Sequence, residues 1–227
     1  MPMGEPYKCY LERSHHRFEQ KGGTEFARKS ISGLLQGVLI DSLLGRNLDQ
    51  WLEIYELHRD APPPDHSILV VPRVYLLRAG VGWLLNQPVE TIVNAGWDAV
   101  SAAWSDTNND SQCRIVSSAA LGLAHARENR EEIAHWCRIR QNYAPTDAMT
   151  DVELQLGSRA MTTPDIIALV GQWNIPLVSG GLANAIAALN VQANTLGQPL
   201  ASLLSEGRRR IDDDYWSAGV DKPARAD

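Results

Sequence analysis

The amino-acid sequence predicts an all-α protein of antiparallel helical hairpins, packed as an irregular bundle or a short α-solenoid. Three observations predict it. Apolar residues recur at i, i+3, i+4 and i+7 along most of the 227 residues, the period of one helix face. No stretch alternates apolar and polar residues for long enough to build a sheet. Short breaks of similar chemistry also recur: Leu44-Gly45-Arg46-Asn47-Leu48, Leu85-Asn86-Gln87-Pro88-Val89 and Leu196-Gly197-Gln198-Pro199-Leu200. In each, Gly or Asn can take the left-handed conformation that ends a helix, and Asn or Pro starts the next. A connection that short turns the second helix back along the first. The first two breaks lie about 41 residues apart, and one at Asn129 follows about 43 later, within the range of helical repeat arrays.

Taken in order, residues 1–23 are polar and end in Gly22-Gly23, which predicts a flexible arm with at most a short helix between Tyr10 and Phe18. A single helical domain over residues 24–217 follows. Thr24 is a suitable N-cap for a helix carrying Ile31, Leu34, Leu35 and Val38, which Gly45 stops. The next begins at Asn47, buries Leu48, Trp51, Leu52 and Tyr55, and ends at Ala61-Pro62-Pro63-Pro64. Asp65 or Ser67 can cap a third helix that runs to Leu85 and is apolar nearly all round, as a central helix must be. Pro88 opens a fourth, striped by Val89, Ile92, Val93, Trp97, Val100 and Trp104, with Gly96 on that face allowing a neighbour to come close. Residues 105–110 form a loop, and a helix pair spans 112–127 and 131–143. Residues 144–163 read as the longest connection, Thr163-Pro164-Asp165 as a strong helix start, and Gly180-Gly181 as the approach to a further helix. Pro199 opens the last helix, and 218–227 read as a disordered tail.

Composition narrows the function classes. Net charge is -6 and the one basic run, Arg208 to Arg210, is followed at once by Asp212 to Asp214, so no phosphate-binding surface is expected. Cys9, Cys113 and Cys137 are odd in number and form no CxxC, which fits a reducing compartment and a cytoplasmic protein. The longest apolar stretch, 68–85, carries Arg73 and Arg78, which favours a buried helix over a membrane span.

The segment from Ser118 to Pro145 resembles one tetratricopeptide unit. Leu121-Gly122, Ala124, Asn129, Ala134 and Pro145 fall close to that family's small and turn positions, over about 28 residues. Its aromatic and late alanine positions are missing, and no second full unit lines up. The resemblance implies a hairpin of similar packing and a groove suited to a peptide or partner protein.

Candidate chemistry is sparse. Glu132-Ile133-Ala134-His135 is a Glu-x-x-His sequence, the helical spacing that places a carboxylate and an imidazole on one face for a metal, and Glu12 with His15 repeats it. A dinuclear site also needs two more inward glutamates, for which Glu53, Glu56 and Glu90 are available. The span 163–189 has a helix-turn-helix outline, but its second helix lacks the Arg or Lys that reads DNA. There is no P-loop, G-x-G-x-x-G, G-x-S-x-G or H-E-x-x-H, so neither a cofactor nor a catalytic residue is expected. Of seven tryptophans, Trp104 and Trp216 lie at helix ends and are the best candidates for a partner-binding surface. These readings order three functions. First comes a noncatalytic interaction module for another protein of basic character: an adaptor, a chaperone or a toxin-neutralising immunity-type protein. A helical-bundle metalloenzyme using Glu132 and His135 is second, and a DNA-binding regulator third.

Overall fold

The chain folds as packed α-helices with no strand among the described residues, which in this computed structural model are 6–63, 67–143, 178–200 and 202–204. They are α1 (Pro6–Gln20), α2 (Gly23–Lys29), α3 (Ile31–Leu44), α4 (Asp49–Arg59), a 3-10 turn (Ile68–Val70), α5 (Val71–Leu84), α6 (Glu90–Ser105), α7 (Asp110–Ala126), α8 (Arg130–Tyr143) and α9 (Val178–Leu196). The segments 144–177 and 205–227, with Trp173, Trp216, the 163–165 helix start and the 218–227 tail, lie outside the described residues.

Four helices end in one motif. Gly45, Asn86, Glu128 and Gly197 all take positive φ, between 54° and 68°. After each, the next N–H donates five residues back: Arg46 to Asp41, Gln87 to Gly82, Asn129 to Ala124 and Gln198 to Ala193. That is the Schellman ending, which satisfies carbonyls otherwise left open at a helix terminus. The three breaks chosen from sequence are therefore true corners. At the fourth, the left-handed residue is Glu128 rather than Asn129. Asn129 instead starts α8, its Oδ1 accepting from Glu132 N at 3.2 Å. Asn109 caps α7 in the same way, its Oδ1 accepting from Gln112 N at 3.0 Å, and just before α4 the Asn47 Oδ1 accepts from Asp49 N at 2.8 Å.

Three expectations need correction. The N-terminal residues described are no loose arm: Pro6–Gln20 is a helix packed on α3, with Leu11, Ser14 and Phe18 buried. Phe18 meets Phe26 and Trp51 at ring centroids 6.3 and 6.1 Å apart, tying α1 to α2 and α4. The apolar positions are few, so composition hid the helix. Next, the helix expected to run unbroken from Thr24 to Leu44 is split at Ser30, whose extended backbone ends α2 and whose side chain caps α3 at Gly33 N. Gly180-Gly181 likewise lie inside α9 rather than before it.

The hairpins stack. Helices α3, α5 and α7 pack side by side, α6 covers α5, α8 covers α7, and α9 lies against both α5 and α7. Central α5 buries Leu76, Leu77, Ala79, Val81 and Leu84, each leucine contributing about 1.5–3 kcal/mol on leaving water. Its Pro72 sits in the first turn, where no hydrogen bond is lost. Small residues set the spacing: a Cβ on Gly96 of α6 would stand 2.7 Å from Tyr75 Cβ of α5 and 3.1 Å from a Leu123 methyl of α7. Among the described residues no helix is long and apolar enough to cross a membrane.

Candidate functional site

A cleft of about 490 Å³ opens where the C-terminal end of α4 meets the start of α6. The Schellman corner at Asn86 places Gln87 and Pro88 on its lip, and α6 adds Glu90, Ile92 and Ala95. Tyr75 of α5 forms part of the wall, and Arg59 and Asp60 close the α4 side. Those two are paired with each other, Arg59 Nε and NH2 donating to the two carboxylate oxygens of Asp60 at 3.0 and 2.7 Å. The Arg59 guanidinium thereby holds the Asp60 carboxyl below the usual range.

Beside this cleft α5 keeps a buried cation. Arg78 is 4% exposed, and its guanidinium stacks 5.4 Å from the centre of the Tyr75 ring. Burial lowers its affinity for the proton from the ordinary arginine value. Tyr55 of α4 is 1% exposed, and burial pushes its phenol upward. Its hydroxyl lies against Gly82, one turn beyond Arg78, where an added Cβ would meet Val89 and the Tyr55 oxygen. Neither Tyr55 Oη nor Arg78 Nε has a hydrogen-bond partner among the described residues.

Exposed charge along residues 47–113, which include most of the cleft lining, is strongly one-signed. On α4 and just past its end, Asp49, Glu53, Glu56 and Asp60 are exposed at helical spacing. Glu90 and Asp98 on α6, with Asp106 and Asp110 after it, continue the pattern. Among the described residues of 47–113, eight acids are exposed against one base, Arg59. Elsewhere the signs mix, as over residues 12–29, where Arg13, Arg17, Lys21, Arg28 and Lys29 accompany Glu12, Glu19 and Glu25.

No known protein family, curated protein or solved structure matches the chain. Its site has to be judged from its own residues.

Trp104 is half-buried at the far end of α6 from the cleft, its ring edge-on to Trp136 at 5.3 Å and to Tyr143 at 6.1 Å. Trp216 lies outside the described residues. Glu132 is half-buried and His135 exposed, the imidazole standing edge-on to Trp136 at 5.3 Å. No three His, Cys, Asp or Glu side chains among the described residues are grouped to hold a metal ion. Glu53, Glu56 and Glu90 are exposed rather than inward. In the helix-turn-helix outline, Ala183 to Ala187 and Leu189 are buried, the opposite of what a groove-reading helix presents.

Sequence reasoning missed that Arg78 keeps a buried Nε without a hydrogen-bond partner among the described residues. The signal was present, since an arginine in a helix apolar all round must find a use or a partner for its charge.

Proposed function

We propose that the chain is a noncatalytic protein-interaction module whose α4–α6 face receives a basic partner. The observation that carries this reading is the segregation of exposed charge: eight acids against one base over 47–113, in a chain whose net charge is only -6. A one-signed face speeds encounter with an oppositely charged protein and rejects others. Trp104, at the end of the same helix, is the aromatic anchor beside it, with Trp216 as a second candidate. An adaptor, a chaperone or an immunity-type protein that neutralises a basic toxin would each use such a face.

Affinity capture from native lysate tests it, using the wild type and a charge-reversed chain carrying Glu53→Lys, Glu56→Lys and Asp98→Lys. The wild type should recover one dominant basic protein at low salt, and less at high salt. The reversed chain, with unchanged helix content by circular dichroism, should lose most of it, and Trp104→Ala should weaken retention by about tenfold. Equal recovery by the reversed chain would show that the partner binds elsewhere. Absence of any dominant partner would count against the module itself.

A further inference from the structure

A second cleft, of about 300 Å³, lies between α1 and α3. Phe18 and Ile40, both buried, give it an apolar floor. Ser14, Arg17 and Lys21 line it at i, i+3 and i+7, along one stripe of α1 and the residue just after it. Arg17 and Lys21 stand four residues apart, a spacing at which like charges repel, and neither forms an ion pair among the described residues. Glu19, between them in sequence, turns instead to His15, its Oε1 3.8 Å from the imidazole. Cations near a helix C-terminus offset its dipole, but that leaves the third group unexplained. Ser14 is 8% exposed and makes no hydrogen bond with another described residue. A hydroxyl inside a helix ordinarily returns to a carbonyl one turn back, as Ser105 and Thr195 do here. A buried hydroxyl left open beside two uncompensated cations fits an arriving oxyanion.

We infer that this cleft binds a small phosphomonoester, its phosphoryl group held by Arg17, Lys21 and the Ser14 hydroxyl and its apolar body laid on Phe18 and Ile40. Residues three and four apart on a helix have Cβ atoms about 5–6 Å from one another, and both cations have long side chains. The three donors therefore converge on one group without any movement of the backbone. Two positive charges and three separate donors suit a dianion with three terminal oxygens better than a carboxylate, which brings one charge and two oxygens. The volume, at the small end of ligand pockets, holds a phosphoryl group with one ring rather than a nucleotide. A net charge of -6 bears on extended phosphate-binding surfaces and is compatible with one local anion site.

Isothermal titration of the full chain with phenyl phosphate, benzoate and inorganic phosphate, at about 0.15 M salt, tests this. Phenyl phosphate should bind saturably at one site per chain. Benzoate lacks the second charge and phosphate lacks the ring, so each should bind roughly tenfold or more weakly. Arg17→Gln combined with Lys21→Gln should abolish binding. Ser14→Ala, a substitution that a helix favours, should weaken it about three- to tenfold. Arg28→Gln removes a cation of α2 that does not line the cleft, and should leave binding unchanged. Should the double variant fail to fold, Ser14→Ala and the comparison of the three anions on the wild type still decide. The proposal is overturned by no saturable binding of phenyl phosphate, by equal binding of either other anion, or by unchanged affinity in Ser14→Ala or the double variant. A loss in Arg28→Gln as large as in the double variant would overturn it too, as general charge attraction. The measurement needs no partner protein and uses no residue of the acidic face, so it can fail or succeed independently of that reading.

Discussion

At the scale of single residues, the clearest strain is at Glu128, a non-glycine residue held at φ 54° because α7 must end in the Schellman corner. A side chain in that region costs about 1–2 kcal/mol, part of which glycine returns through its freer unfolded chain. Glu128→Gly should therefore stabilise by about 0.5–1 kcal/mol and raise Tm by about 1–4 °C in differential scanning calorimetry. A fall in Tm would mean that the carboxylate does more for the fold than its exposed position shows. Burial also dictates a pH response. The Cys137 thiol and the Tyr55 phenol are both pushed above their ordinary values, chiefly by desolvation. The unfolded chain then releases those protons at lower pH than the folded one, so stability falls as pH rises above about 9 and again above about 10. Urea midpoints measured between pH 8 and 11 should decline, and Tyr55→Phe should flatten the upper part. A midpoint constant across that range would contradict the burial of both groups.

At the scale of elements, legibility followed the physics of each signal. The corners at Gly45, Asn86 and Gly197 were readable because only a few residue types tolerate positive φ, so the sequence marks them openly. Glu128 was not readable, since nothing about a glutamate announces a left-handed conformation. Ser30 was passed over for a related reason: serine within an amphipathic run fits either a helix interior or a cap, and tertiary packing of α2 decides. Helix α1 was obscured by its polarity, because two or three apolar anchors suffice when a neighbour such as α3 is ready to cover them. At the site, the half-buried Trp104 was legible from the apolar stripe. The Tyr55 hydroxyl against Gly82 was not, since that contact arises only when α4 and α5 come together. Gly96 is the element-scale test. Its lack of a side chain lets α6 sit close to Tyr75 and Leu123 at once, so two helices would have to shift for Gly96→Ala. The gain in helix propensity, about 1 kcal/mol, should be outweighed by overpacking of roughly 1–3 kcal/mol. Urea denaturation should show a net loss; a stabilised variant would mean that the α5–α6 contact yields more easily than its geometry implies.

At the scale of the whole molecule, the question is whether stacked hairpins behave as a chain of separable units or as one body. Arrays whose repeats touch only their neighbours can lose cooperativity, because each interface melts on its own terms. Here the buried apolar residues form one connected cluster from Leu11 in α1 to Leu204. Direct packing of α3 on α5 and of α7 on both α5 and α6 connects it, and helix α9 reinforces it. This last helix packs across both α5 and α7, its Asn184 meeting Gly122 and Leu76 at one point, so it bridges hairpins that would otherwise share only side-by-side contacts. Opening any one hairpin uncovers part of a core shared by the next, which couples their free energies. Unfolding in urea should therefore be a single transition, with far-ultraviolet circular dichroism and tryptophan fluorescence superimposing. Trp51 and Trp136 give the sharper form of the test, since each is buried in a different hairpin of the stack. With Trp51→Phe and Trp136→Phe chains, each lacking one of these reporters, the fluorescence midpoints should still match the dichroism midpoint of the same chain. Separated midpoints would show that the α3–α4 and α7–α8 hairpins melt independently, and that α9 fails to bind the stack into one cooperative unit.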